Sequence, residues 1–143
     1  MRLPAKVEYA CMAVLELSLR YVGNVPVQLG EIAAAQNIPE KFLTQIFQRL
    51  KAAQIVSSSR GVAGGYFLAK DPASITIADV VRAVDSTIFE NPLATEGAKS
   101  TKGRELLLRT WSALSDSIAG QLEQITFERL SNDLKEGQLT YDI

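Results

Sequence analysis

The chain has 143 residues, enough for one compact domain with an appended element and long enough to bury a core without disulfides. Apolar residues make up 47% and charged residues 22%, the balance of an ordinary globular protein, with no apolar run of about eighteen residues and no signal-peptide core at "MRLPAKVEYA". The formal net charge of −1 hides an asymmetry: residues 1–70 carry eight Lys/Arg against four Asp/Glu, whereas the rest carries seven against twelve, which suggests a polyanion-binding half beside a half with another task, with a chance partition as the alternative.

Residues 5–22 repeat Val7, Ala10, Cys11, Val14, Leu15, Ser18 and Val22 at helical spacing, which predicts a long amphipathic first helix. Gly23, Asn24 and Pro26 end it. Leu29, Ile32 and Ala33 mark a short second helix that opens after Val27-Gln28 and is interrupted by Asn37 and Pro39. Pro39 suits the first turn of a third helix running to about Ala53, with Phe42, Leu43, Ile46, Phe47, Leu50 and Ala53 as its buried stripe. "QIVSSSR", "GVAGG" and "YFLA" then read as strand, glycine turn and strand. Asp71-Pro72 closes the hairpin. "TIAD" from Thr76 is a Ser/Thr-x-x-acid cap before Val80, Val81 and Val84 on one helical face. Residues 86–103 read as a loop. A long helix covers roughly 104–124, with Leu107, Trp111, Leu114, Ile118, Leu122 and Ile125 in steps of three or four, and Thr126 caps a short last helix carrying Leu130 and Leu134.

Two short helices joined by a tight turn and followed by a two-stranded wing form a winged helix-turn-helix. The expected fold is therefore mainly α with a small β-hairpin wing and a long C-terminal dimerisation helix. The expected division is a DNA-binding domain over 1–85, a loop over 86–103, and a dimerisation helix with C-terminal segment over 104–143.

Opposite the apolar stripe of the third helix, Glu40, Lys41, Thr44, Gln45 and Gln48 share one side. A carboxamide pairs bidentately with adenine, a threonine methyl meets a thymine methyl, and a lysine reaches phosphate or guanine. Ser57, Ser58 and Ser59 climb one strand of the wing to Arg60, whose charge suits the negative potential of the minor groove. "GVAGGY" is neither a P-loop nor a dinucleotide fingerprint. The apolar seam on the long helix, Trp111 included, is more than a small N-terminal domain is expected to cover entirely, so a second copy is expected to bury most of it, with some packing on the chain's own first helix.

"MRLPAKVEYACMAVLELS", "FLTQIFQRLKAAQIVSSSRGVAGGYFLAKD" and "ITIADVVRAVD" resemble the iron–sulfur-cluster-regulator-like (IscR-like, Rrf2-type) family of bacterial winged-helix repressors, from Met1 to about Leu130. The most specific stretch is "VSSSRGVAGGYFLAKD". The resemblance implies a homodimer on a pseudo-palindromic operator in double-stranded DNA, with recognition helices in the major groove and wings in the adjacent minor grooves. It puts recognition-helix contacts at Glu40, Lys41, Thr44 and Gln45 and wing contacts at Ser58, Arg60 and Gly61. Arg2 and Lys6, at the start of the first helix, are candidates for added phosphate contacts.

Many members of that family hold an iron–sulfur cluster through three cysteines and one further side chain in the loop before the long helix. Here that loop contains no Cys, and the whole chain has one Cys and no His. Cluster chemistry needs soft thiolate ligands, so no cluster and no structural zinc are expected. Cys11 lies on the first helix's apolar stripe and reads as a small core hydrophobe, and a single cysteine fits a reducing cytoplasm. Glu90, Glu96, Lys99, Lys102 and Arg104 are candidates for an unidentified effector, against the plainer reading of a solvated loop. An enzyme is disfavoured by the lack of His, of a nucleophile motif and of a metal-ligand cluster. A winged-helix protein–protein adaptor is the standing alternative, against which the basic N-terminal half and Arg60 argue.

Overall fold

The computed structural model describes residues 2–141. Helix α1 spans Ala5–Leu19, α2 Leu29–Gln36 and α3 Glu40–Ala52. Strands β1 (Val56–Ser59) and β2 (Gly65–Leu68) form an antiparallel hairpin. A 3₁₀ turn at Pro72–Ser74 leads to α4 (Ile77–Val84), and α5 (Lys102–Glu123) and α6 (Phe127–Tyr141) complete the chain.

Helix α1 is the central post, packed against α2, α3, α4 and α6. Its inward residues Val7, Ala10, Ala13 and Val14 are completely buried and mostly small, so neighbouring helices approach closely. Cys11 packs at the edge of the same core. One buried acid, Glu16, accepts hydrogen bonds from Arg20 Nε at 2.6 Å and Gln36 Nε2 at 2.7 Å, which satisfies its carboxylate and ties α1 to α2. The helix ends at Leu19, earlier than the expected Val22, because the chain turns at Gly23 (φ +58°). Val22 therefore falls in the turn and is 72% exposed.

The buried stripe of α3 is Leu43, Ile46, Phe47 and Leu50, spaced i, i+3, i+4, i+7. Phe42 and Ala53 do not belong to it as expected. Phe42 lies about 100° round the helix from Leu43 and is exposed, and Ala53 is the C-cap. Each fully buried side chain of this set contributes about 1.5–3 kcal/mol by leaving water.

The cap before α4 is reciprocal: Asp79 N–H donates to Thr76 Oγ1, and Thr76 N–H donates to Asp79 Oδ2. The turns before α4 and α6 are laced together, Ile77 N–H donating to Ile125 O and Phe127 N–H to Ile75 O. This anchors α6, whose Phe127 is fully buried in the main core. The last helix is thus long and docked, where a short one was expected.

Residues 86–101 contain no helix or strand but are tethered. Asn91 Nδ2 donates to Leu108 O at 2.8 Å and Ser112 Oγ at 3.1 Å on α5, while Asn91 Oδ1 accepts from Leu93 N–H. Arg104 of α5 donates to Leu93 O. Thr101 caps α5 by accepting from Arg104 N–H. Of the 22 residues in α5 only Ala119 is buried.

Candidate nucleic-acid interface

The turn between α2 and α3 is three residues long. Asn37 takes the left-handed conformation (φ 53°), Ile38 is buried and donates its N–H to Ala33 O, and Pro39 precedes the first turn of α3. Its fixed φ and missing donor suit that position. The tight turn fixes α3 across α2. Gly30 on α2 makes room for Glu40, since a Cβ there would stand 3.3 Å from Glu40 Oε1.

Glu40, Lys41, Thr44, Gln45 and Gln48 are all exposed on the side of α3 away from the core. Thr44 Oγ1 donates to Glu40 O at 3.0 Å. Lys41 Nζ lies 5.0 Å from the Phe42 ring centre. The Gln45 carboxamide has no hydrogen-bond partner among the described residues, which leaves its donor and acceptor open to a ligand.

The wing is braced against this helix. Tyr66 of β2 stacks on Phe47 of α3 with ring centroids 4.3 Å apart and planes 12° from parallel. Val27 pairs with Tyr66 through two backbone hydrogen bonds of 2.8 Å, adding a one-residue third strand to the hairpin. That approach requires glycine next to Tyr66: a Cβ on Gly65 would lie 2.3 Å from Val27 O. Within the turn, a Cβ on Gly64 would lie 2.3 Å from Ser59 O. Gln28 Nε2 donates to Val62 O at the tip, and Lys51 Nζ donates to Ser58 Oγ at 2.6 Å, linking the end of α3 to β1. Arg60 and Gly61 are exposed at the tip, and Val62 beside them is 98% exposed.

Of the residues singled out from sequence, the recognition face and the wing tip lie on elements locked together by the Phe47–Tyr66 stack. Lys6, on the first turn of α1, stands 3.7 Å from Asp85 Oδ2 in an ion pair, and Arg2 is exposed just before the helix. The Asp85 carboxyl is held below its ordinary value, first by the Thr87 hydroxyl and further by Lys6. Sequence reading missed the positioning residues Gln28, Lys51 and Tyr66. Their partners are distant in the chain, so no local pattern signals them. Burial pushes the Cys11 thiol up to about 11, so it stays protonated at neutral pH.

The α5 seam is split. Leu107, Trp111, Leu114 and Ile118 are 56%, 45%, 45% and 37% exposed, and Leu106, not singled out from sequence, is 58% exposed. Leu122 is half-buried. Ile125 lies past the helix in the turn, half-buried and laced to Ile77, so it is not part of the exposed seam. Among the loop's charged residues, Glu90, Glu96, Lys99 and Lys102 are exposed, while Arg104 is committed to Leu93 O.

No helix among the described residues is long and apolar enough to cross a membrane. The Rrf2 family profile, described as iron-dependent transcriptional regulators, matches residues 3–133. The chain is 36% identical to the HTH-type transcriptional regulator IscR of Citrobacter koseri, over 99% of this chain and 90% of that one. Among solved structures it is similar to IscR of T. potens (27% identity, TM-score 0.78, covering 96% and 91% of the two chains). It is also similar to CymR, the global cysteine regulator of B. subtilis (29% identity, TM-score 0.73, covering 92% and 97%). A winged helix-turn-helix matched along nearly its whole length in both sequence and fold identifies the chain as a member of the Rrf2 family of DNA-binding transcriptional regulators.

Proposed function

We propose that the protein is a homodimeric repressor of transcription that binds a pseudo-palindromic operator, with α3 in the major groove and the wing in the adjacent minor groove. The observation that carries this reading is the rigid joining of the polar face of α3 to an exposed Arg60 through the Phe47–Tyr66 stack. Lys41, Thr44 and Gln45 offer the groups that read base edges, and Glu40 can accept from a cytosine amine. Arg60 enters the minor groove, while Ser58, the Gly61 backbone, Arg2 and Lys6 meet phosphates. The seam of Leu107, Trp111, Leu114 and Ile118 repeats in steps of four, three and four, the spacing of a coiled-coil face, and a second copy buries it. A cytoplasmic location goes with this reading, since the proposed operator lies in genomic DNA.

The iron implied by the family does not fit these residues. The loop before α5 has no cysteine, the chain has no histidine, and the thiol of Cys11 is protonated and packed on α1. Among the described residues no three His, Cys, Asp or Glu side chains gather as a metal site. Hydrogen bonds from Asn91 and Arg104 hold the loop instead, and DNA binding proceeds without a cluster. Anaerobically purified protein is expected to show no visible iron–sulfur absorption, and such a band would overturn this assignment.

Fluorescence anisotropy with labelled promoter DNA at several salt concentrations tests the main reading. Affinity for the preferred fragment should exceed that for random DNA and should fall linearly on a log–log plot with salt. Equal, weak binding to all DNA would instead favour a protein–protein adaptor.

A further inference from the structure

A cleft of ≈ 420 Å³ opens between the first turn of α1, one edge of α3 and the end of α4. Its volume suits a small molecule of about a dozen heavier atoms, at roughly 30 Å³ for each water-sized unit. The floor is apolar and comes from two helices, with Ile46 4% and Val84 1% exposed. Tyr9 and Phe42 form a wall, their ring centroids 6.3 Å apart and their planes tilted by 30°. Phe42 stays 44% exposed at this mouth while Leu43 beside it is fully buried.

The charged side chains lining the cleft are Lys6 and Arg49, and no carboxylate lines it. Asp85 meets Lys6 from outside the lining. Arg49 donates from Nη1 to Val84 O at 2.9 Å, and its other N–H groups have no hydrogen bond to a described residue. That single bond anchors the planar guanidinium and leaves donors that match the two oxygens of a carboxylate. An apolar slot with aromatic walls and a cationic rim is complementary to a flat apolar body bearing one negative charge.

We propose that this cleft is an effector site for a small aromatic monocarboxylate, its ring against Tyr9 and Phe42 and its carboxylate on Arg49. Gln45 lines the cleft and also stands on the exposed face of α3. A bound acid therefore competes with DNA for Gln45 and Lys6, and the coupling is reciprocal: DNA weakens the acid as the acid weakens DNA. This coupling rests on the DNA-reading role given to α3 above, whereas binding of the acid does not.

Calorimetric titration of the full chain with phenylacetate, and with phenylacetamide as its uncharged counterpart, tests the site. Phenylacetate should bind at least about tenfold more tightly, the worth of a charge-assisted hydrogen bond. Arg49→Gln should remove that preference, and Arg49→Lys should restore part of it. Phe42→Ala, at an exposed position that the fold does not need, should weaken both compounds. Failure of both compounds to bind, as when a second copy covers the cleft, overturns the proposal, and so does equal binding of acid and amide. Saturating phenylacetate should lower affinity for the preferred DNA several-fold. Unchanged DNA affinity with the acid bound would overturn the coupling and leave the site. Acid binding that persists in a protein with no DNA preference would sink the reading of α3 and not the site.

Discussion

The Gln45 carboxamide and the Arg60 guanidinium call for different kinds of contact. The first presents a donor and an acceptor side by side, and the second is a permanent charge at a wing tip. Gln45→Ala should reduce discrimination at one base pair by about 1–3 kcal/mol, read by competition among operator variants. Arg60→Ala should weaken all sequences alike and reduce the salt slope by about 1. Cys11 supports a pH prediction. Its thiol titrates near 9.0 in its ordinary state and at about 11 when folded, so burial favours the neutral form. The stability it contributes is complete below pH 9 and is lost as pH rises towards 11. Near the upper end this amounts to about 2 kcal/mol. Urea unfolding should show an alkaline loss of stability in the parent that is smaller in Cys11→Ala. The exposed position of Gln45 and the core-edge position of Cys11 were legible from helical periodicity, and the exposed position of Arg60 from the glycine turn that follows it. Phe42 was misplaced because one position of helix, about 100°, separates a buried stripe from its exposed edge.

Among the elements, the wing and α3 are braced together as one unit. Gly65 allows Val27 to pair with Tyr66, and Tyr66 stacks on Phe47. Gly65→Ala forces the two strands apart. It should speed amide exchange at Val27 and Tyr66 and reduce DNA affinity, while exchange in α4 stays as in the parent. Similar exchange at Val27 in both proteins would show that this brace is dispensable. The helix order, the hairpin and the Thr76–Asp79 cap could all be read from the sequence, because each signal sits within a few residues. The Val27 bridge and the lacing of Ile75, Ile77, Ile125 and Phe127 could not, because they join segments far apart in the chain. The docking of α6 followed from that lacing, which is why it exceeded the short helix expected from Leu130 and Leu134.

At the scale of the whole molecule, one chain buries its own winged core yet leaves Leu107, Trp111, Leu114 and Ile118 in water along α5. Such a face is a liability unless covered. Trp111→Glu should convert a dimer to a monomer in sedimentation, keep the helical circular dichroism signal, and weaken operator binding far more than binding to an isolated half-site. The sequence pattern revealed this seam but not its limits, since Ile125 has the right spacing yet is turned into the α5–α6 connection. In the function proposed above, two copies read one symmetric DNA site through α3 and the wing. Selection of bound fragments from genomic DNA, followed by footprinting, tests it most directly. Two inverted half-sites separated by whole helical turns of about 10 base pairs are expected, with minor-groove protection beside each. Enrichment no better than random DNA, or protection of a lone unsymmetrical site, would contradict it.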